Sequence, residues 1–288
     1  MRLAAKSNPM RSQTFTIVGL GLLGASLGGA LKKIFPRSKI IGVSRSRAKI
    51  RLAKQKGFIT AGTTSLPEAV RSADFVFICT PVDTIPKLIS EIDRSAKTGA
   101  IVTDVGSTKE TLIRWVEKKR FKNICFVGAH PMAGSHLTGL RHANSKLYRS
   151  SFVFVTVHRG MNALALAKLT KIWRKLSRKV IQIDASIHDS VAAEISHLPH
   201  LVSALLINAA TDRALRFAGT GFCDTTRIAQ GDPRLWVPIF TENRKNLLRL
   251  LAQFRKSILK VENHLRSRDR FSLSQLLKKS AGRRQKIA

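Results

Sequence analysis

Short apolar runs alternate with amphipathic segments over the first two thirds of the chain. Residues 15–18, 39–43, 74–79 and 100–104 are rich in Ile, Val and Phe and bounded by Gly, Pro or polar clusters, the signature of buried strands. Between them, 25–34, 47–56, 65–72 and 81–94 place apolar residues at helical spacing, punctuated by Pro36, Gly57, Pro67 and Pro81. A further helix is predicted over 109–119 and a strand-like run over 124–127. Strands alternating with helices of this length predict an α/β fold with a doubly wound parallel sheet. Residues 152–157, a helix over 162–176 and 180–183 are expected to complete that sheet.

The pattern changes near residue 186. Long helical stretches follow over 186–216 and 233–264, with 219–225 as the one substantial break. The expected organisation is an α/β domain over 1–184, an all-α domain over 185–266 and a basic tail over 267–288.

Composition narrows the class. With 44% apolar and 24% charged residues in 288, the chain is globular rather than disordered. No apolar run approaches the roughly 20 residues of a bilayer span, so no membrane segment is expected. The opening MRLAAKSNPMRSQ is basic but lacks the apolar core of a secretory signal. Cys79, Cys125 and Cys223 are odd in number and form no CxxC pair. They support neither a disulfide framework nor a zinc cluster, and the expected compartment is the reducing cytoplasm.

Charge is the outstanding bulk feature: 51 Lys and Arg against 17 Asp and Glu, a net of +34. The excess is +18 over 1–150, +9 over 151–264 and +7 over the last 24 residues, so it is spread along the chain. Nucleic-acid modules concentrate charge on one face or arm with interleaved aromatics. Only the tail looks like such an arm, and its single aromatic is Phe271. Non-specific polyanion binding is a consequence of field strength and is not expected as the function. A lineage-wide basic bias or the attraction of acidic substrates is the favoured account of the charge.

The first strand runs into Gly19-Leu-Gly21-Leu-Leu-Gly24 and then a helix. This is the dinucleotide fingerprint in its required context: a tight turn, close backbone approach to a pyrophosphate, and close helix packing. The expected cofactor contacts are Gly19, Gly21, Leu22, Leu23, Gly24 and Thr80, with Ser44 and Arg45 at the end of the second strand. An NAD-binding chain normally places Asp or Glu there for the ribose hydroxyls; this one has Ser44-Arg45-Ser46-Arg47. A hydroxyl and a guanidinium accept a 2′-phosphate that a carboxylate would repel, so NADP is favoured over NAD.

Four further clusters carry polar chemistry: Asp104-Val-Gly-Ser-Thr-Lys109, Gly128-Ala-His-Pro-Met-Ala-Gly134, His188-Asp189 with Ser196-His-Leu-Pro-His200, and Asp224-Thr-Thr-Arg-Ile-Ala229 with Asp232-Pro233 and Trp236. Ser107 follows a sheet strand at its carboxyl end, where α/β enzymes build their sites. His130 sits among glycines that leave room for a ligand. Singly, each has an ordinary explanation: His130 as a capping residue, His197 and His200 as a satisfied helix pair, Arg227 as a surface charge. No carboxylate or cysteine pattern completes a metal site around the histidines.

Together, in this order over residues 14–264, the fingerprint, DxGSxK, GxHPMAG, HDxxxAxxSHLPH and DTTRIAxxDPxLW resemble the prephenate/arogenate dehydrogenase family of tyrosine biosynthesis. The resemblance implies a Rossmann-type domain that binds the nicotinamide cofactor and a helical domain that forms a homodimer. It implies His130 as the base on the substrate hydroxyl, with Ser107 orienting it, Arg227 anchoring a carboxylate and His200 contacting the substrate. Asp189, Asp224 and Trp236 match positions that support the site. Six residues after His130, family members can carry a carboxylate suited to the ammonium of arogenate; His136 stands here and favours prephenate. The NADP-type second strand is common in arogenate-using relatives, so both substrates stay open. From the length of this sequence, neither a regulatory ACT domain nor a fused chorismate mutase is expected. The competing readings are another helical-dimer 3-hydroxy acid dehydrogenase or imine reductase, and a polyanion-binding protein on a dead scaffold. Against the last stand the intact Gly19, Gly21, Gly24, Ser107, His130 and Arg227.

Overall fold

In the computed structural model, which describes residues 12–134 and 137–287, the chain alternates strand and helix from β1 (Thr14–Val18) and α1 (Leu22–Ile34) onward. There follow β2 (Lys39–Val43), α2 (Arg47–Gln55), β3 (Ala61–Thr63), α3 (Leu66–Val70), β4 (Phe75–Ile78), α4 (Ile85–Ser95), β5 (Ala100–Asp104), α5 (Glu110–Glu117) and β6 (Ile124–Phe126). Local chemistry sets the starts. Ser46 and Ser65 accept from backbone amides three residues on and cap α2 and α3, and Pro67 and Pro86 occupy first-turn positions where a missing N–H costs nothing.

The six strands pair in parallel in the order β3-β2-β1-β4-β5-β6. The pleat sends alternate side chains to opposite faces. Phe15, Ile17 and Phe77 pack on one face with Leu27, Leu31 and Trp173, while Val18, Val76 and Ile78 pack on the other with Val70, Ile89 and Ile113. The Phe77 ring meets Trp173 edge-on at 5.9 Å. Each such large side chain contributes about 1.5–3 kcal/mol on burial. The short edge strand β3 is absent from the sequence reading, because Ala-Gly-Thr carries no apolar alternation.

The expectation that 152–157 and 180–183 complete the parallel sheet is corrected. β7 (Ala129–Pro131), β8 (Phe152–Val157) and β9 (Lys179–Asp184) form a separate three-stranded sheet, with α6 (Ala163–Leu176) between its last two strands. β7 starts only three residues after β6, far short of the dozen or so residues that a parallel crossover needs. It pairs antiparallel with β8 instead, which puts His130 opposite Phe154.

Helices follow: α7 (Ala185–Ala192), α8 (Leu198–Ala209), α9 (Asp212–Leu215), α10 (Thr220–Thr226) and α11 (Pro233–Glu242). The expected break at 219–225 is thus mostly helix. Gly219 supplies the extended N-cap, and the Thr225 and Thr226 hydroxyls donate to carbonyls one turn back. A π-helical turn (Ala193–His197) joins α7 and α8 into one helix of 25 residues, Ala185–Ala209. That helix is long and apolar enough to cross a membrane, with mean hydropathy 1.3 over its best window, which corrects the expectation that none is.

Packing divides the chain into two compact units, one through Asn243 and one from Arg244. The second holds α12 (Arg244–Arg266) and α13 (Arg270–Gln285). Arg268, at φ 54°, turns the chain between them, and the Asp269 carboxylate caps α13 by accepting from Ser272 N–H. The tail is therefore largely helical.

Candidate active site

The glycine turn fits a dinucleotide. Gly19 has φ +100°, and a Cβ there would lie 2.7 Å from the Cys79 carbonyl oxygen, so only glycine makes the turn. A Cβ on Gly24 would stand 2.0 Å from the Gly19 oxygen, which holds α1 against the turn. Gly21, by contrast, faces open space and is the N-cap of α1 without any side-chain hydrogen bond. A 13-residue helix with an uncapped N-terminus, led by Leu22 and Leu23 and without acidic residues in its first turn, is an anion cradle. Thr80 flanks the turn, its methyl 3.0 Å from that built Gly19 Cβ and its hydroxyl 2.7 Å from that of Thr84. At the end of β2, the Ser44 hydroxyl accepts from Ser46 N–H, Ser46 caps α2, and Arg45 is exposed beside them.

After β5 the Asp104–Lys109 loop closes on itself. The Lys109 ammonium, fully buried, donates to Asp104 Oδ2 and to the carbonyls of Gly106 and Thr108. Asp104 also accepts from Gly106 N–H, and its other oxygen accepts from Ala129 N–H at 3.2 Å. The loop that carries Ser107 is thereby tied to the strand that carries His130.

His130 is 6% exposed. Its Nδ1 lies 2.9 Å from His188 Nε2, and His188 Nδ1 lies 2.7 Å from Asp189 Oδ1. Asp189 in turn accepts from the backbone amides of Lys109 (2.8 Å) and Glu110 (3.0 Å), at the N-terminus of α5. Burial first, then the charges of His188, Lys109 and His197, hold His130 well below the ordinary histidine pKa of 6.5. His188 is held low as well, chiefly by burial. Ser107 is half-buried on the β5 loop, and the side chain seen hydrogen-bonded to the His130 ring is His188.

The π turn brings the second pair of histidines to the same site. Eight residues of uninterrupted α-helix advance about 800°, leaving Asp189 and His197 some 80° apart, and one extra residue in a wide turn nearly cancels that offset. Pro199, which has no N–H to donate, sits just beyond the turn. Asn243 Nδ2 then bridges the Asp189 carbonyl (2.7 Å) and His197 Nδ1 (3.0 Å). The amide must present its nitrogen to a carbonyl, so His197 Nδ1 accepts and its Nε2 carries the proton. Among the described residues that Nε2 is buried without a hydrogen-bond partner, as is His200 Nδ1. Burial lowers the pKa of His197 to about 4 and depresses that of His200. The His200 ring lies on Trp236, and a Cβ on Gly231 would stand 2.3 Å from Trp236 Nε1 and 2.5 Å from His200 Cε1, against both rings of the stack.

Of the remaining sequence candidates, Arg227 is exposed in the single chain, at the end of α10, in a 3₁₀ turn that packs on α8. Asp224 is exposed on α10. His136 lies outside the described residues. His188, His197, Asn243, Asp104 and Lys109 belong to the constellation but were not assigned to the site from sequence. All but Asn243 stand in the quoted motifs; their roles needed the spatial contacts.

A parallel sheet with its glycine turn, a buried imidazole pair and a helical continuation define a dinucleotide-binding protein of Rossmann type with an appended all-α region. The chain matches the family model for the prephenate dehydrogenase nucleotide-binding domain over residues 27–182 and that for the prephenate dehydrogenase dimerization domain over 184–279. It belongs to the prephenate dehydrogenase family. It is 30% identical to prephenate dehydrogenase of Bacillus subtilis over 272 residues, 92% of this chain and 73% of that protein. It is 29% identical to cyclohexadienyl dehydrogenase of Zymomonas mobilis, over 88% of each chain. The structure of Aquifex aeolicus prephenate dehydrogenase in complex with hydroxyphenyl propionate and NAD+ superposes with a TM-score of 0.88 at 30% identity, covering 98% of this chain and 100% of that one.

Proposed function

We propose that this chain oxidises and decarboxylates prephenate to 4-hydroxyphenylpyruvate, with NADP as the cofactor. The observation that carries this reading is His130: buried, held low in pKa, and engaged by His188 through one ring nitrogen only among the described residues. Prephenate is a cyclohexadiene with a 4-hydroxyl, a ring carboxylate and a pyruvyl side chain. A neutral imidazole is suited to take the hydroxyl proton near pH 7. As it does so, a carbonyl forms at C4, and loss of the ring carboxylate as CO₂ aromatises the ring. Bound nicotinamide supplies the hydride acceptor. Gly19, Gly21, Leu22, Leu23 and Gly24 would hold its pyrophosphate at the N-terminus of α1, with Thr80 beside the turn. Ser107 contacts the substrate from the β5 loop. His197 Nε2–H and the stacked His200 face it from the helical region, and Arg227 anchors a carboxylate.

NADP is preferred because no carboxylate follows β2, whereas Ser44, Arg45 and Ser46 gather at the start of α2. Prephenate is preferred over arogenate because His136 offers no negative charge to an ammonium. The domain over 1–184 binds cofactor, and that over 185–266 completes the substrate site and pairs two copies of the chain. Ile187, Ile195, Leu205 and Leu206 on Ala185–Ala209 are exposed in the single chain and form an apolar face that a second copy covers, rather than lipid. The enzyme works in the cytoplasm, where Cys79, Cys125 and Cys223 stay as the free thiols seen here. Polyanion binding is no part of the function. Absorbance at 340 nm, with prephenate and arogenate each crossed with NAD and NADP, tests substrate and cofactor together. Turnover of neither substrate overturns the reading. Sedimentation or light scattering tests the dimer.

A further inference from the structure

We propose that His188 is a positioning residue that locks His130 in its Nδ1–H tautomer, with Asp189 as the anchor of the relay. With His188 neutral, as its full burial favours, the proton count has one solution. Asp189 accepts at Oδ1 from Lys109 N–H and at Oδ2 from Glu110 N–H, so its carboxylate already serves as an acceptor on both oxygens. His188 Nδ1, 2.7 Å from Oδ1, must then be the donor. A neutral His188 protonated at Nδ1 has a bare Nε2, which can only accept. The group 2.9 Å away, His130 Nδ1, therefore carries the hydrogen. What remains on His130 is an Nε2 lone pair, the form that a base requires. In the opposite tautomer Nε2 would hold a proton and could take none.

The surroundings enforce the arrangement. His188 is fully buried, and its ring packs edge-on against both His130 (5.1 Å) and Phe154 (5.4 Å). Phe154 stands directly opposite His130 in the β7–β8 ladder, so both side chains leave the same sheet face toward His188. Asp189 is fixed at the start of α5, where backbone amides and the helix dipole favour a negative group. When His130 gains a proton, the imidazolium donates through Nδ1 along the chain His130–His188–Asp189 toward that carboxylate. His188 therefore serves both forms without moving.

This inference rests on His130 being the base of the proposed reaction, but its first test needs no substrate. Long-range ¹⁵N–¹H correlation spectra of the ¹⁵N-histidine-labelled protein, with His130→Asn used to assign the signal, read the tautomer directly. The expected result at neutral pH is His130 protonated at Nδ1. An Nε2–H tautomer in the wild type overturns the proposal, whatever the enzyme's substrate proves to be. In His188→Phe, and in His188→Gln should the first fail to fold, the Nε2–H form should become populated. With the substrate that the 340 nm assay identifies, kcat should fall at least about tenfold with KM little changed, since only the form with a free Nε2 turns over. An unchanged tautomer or an unchanged kcat overturns the role of His188. If no substrate turns over while the Nδ1–H tautomer is found, the functional reading fails and the relay stands.

Discussion

Lys109 and Asp104 form an ion pair with both side chains at 0% exposure, and the pair ties together the two segments that carry Ser107 and His130. Desolvating two charges is costly, and here the cost is offset by completeness. The ammonium has three acceptors, and the carboxylate accepts from it and from two backbone amides. Breaking such a pair on one side leaves a buried charge alone, at about 3–5 kcal/mol. Asp104→Asn and Lys109→Met should each lower the urea midpoint accordingly, and the double variant should lose less than the sum. Strict additivity would show that the two groups do not act as a unit.

His130→Asn should reduce kcat by orders of magnitude while leaving dinucleotide affinity close to wild type, because the imidazole is needed as the transition state forms. The pKa of His130 is held well below 6.5. A base must be unprotonated to act, so kcat/KM should stay flat as pH falls through 6.5 and decline only at lower pH. A decline centred at an ordinary histidine pKa would contradict the burial seen here.

Four histidines also make stability pH-dependent. His130, His188, His197 and His200 all have depressed pKa values in the fold, with burial as the leading cause. Such groups are neutral when folded and take up protons on unfolding. Their contribution is complete above the unfolded value near 6.5 and is lost as pH falls toward the folded values, about 4 for His197. Urea midpoints measured from about pH 7.5 down to about pH 4.5 should therefore drop, and His197→Gln should flatten the curve. The same slope in that variant would remove His197 from the account.

Gly231→Ala should disturb the His200–Trp236 stack, since the added methyl would stand 2.3 Å from Trp236 Nε1. Substrate KM should rise several-fold while dinucleotide affinity is unchanged. A KM equal to wild type would place His200 outside the substrate site.

For the cofactor, Arg45→Ala should reduce kcat/KM with NADP much more than with NAD, and Ser44→Asp should reverse the preference by supplying a ribose acceptor and repelling phosphate. A protein of charge +34 attracts any anion. Equal losses for both cofactors in Arg45→Ala would leave that general field as the explanation.

The sequence by itself determined the α/β alternation, the dinucleotide turn and the motifs, because those depend on residues close in the chain. Apolar runs of strand length and glycines at fixed offsets act within a few residues, and β1, β2, β4 and β5 stand where they were expected. What only the tertiary structure decided depends on distant partners. β7 found its partner in β8, Ala129 beside Val155, and formed a separate sheet, and α10 packed on α8 where a break was expected. His188 looked like one more polar helix residue until Asp189, bound to amides 79 and 80 positions away in sequence, set its proton and thereby that of His130. Chain-local patterns name the candidate groups, but a proton's location follows from hydrogen-bond partners that only the folded backbone brings together.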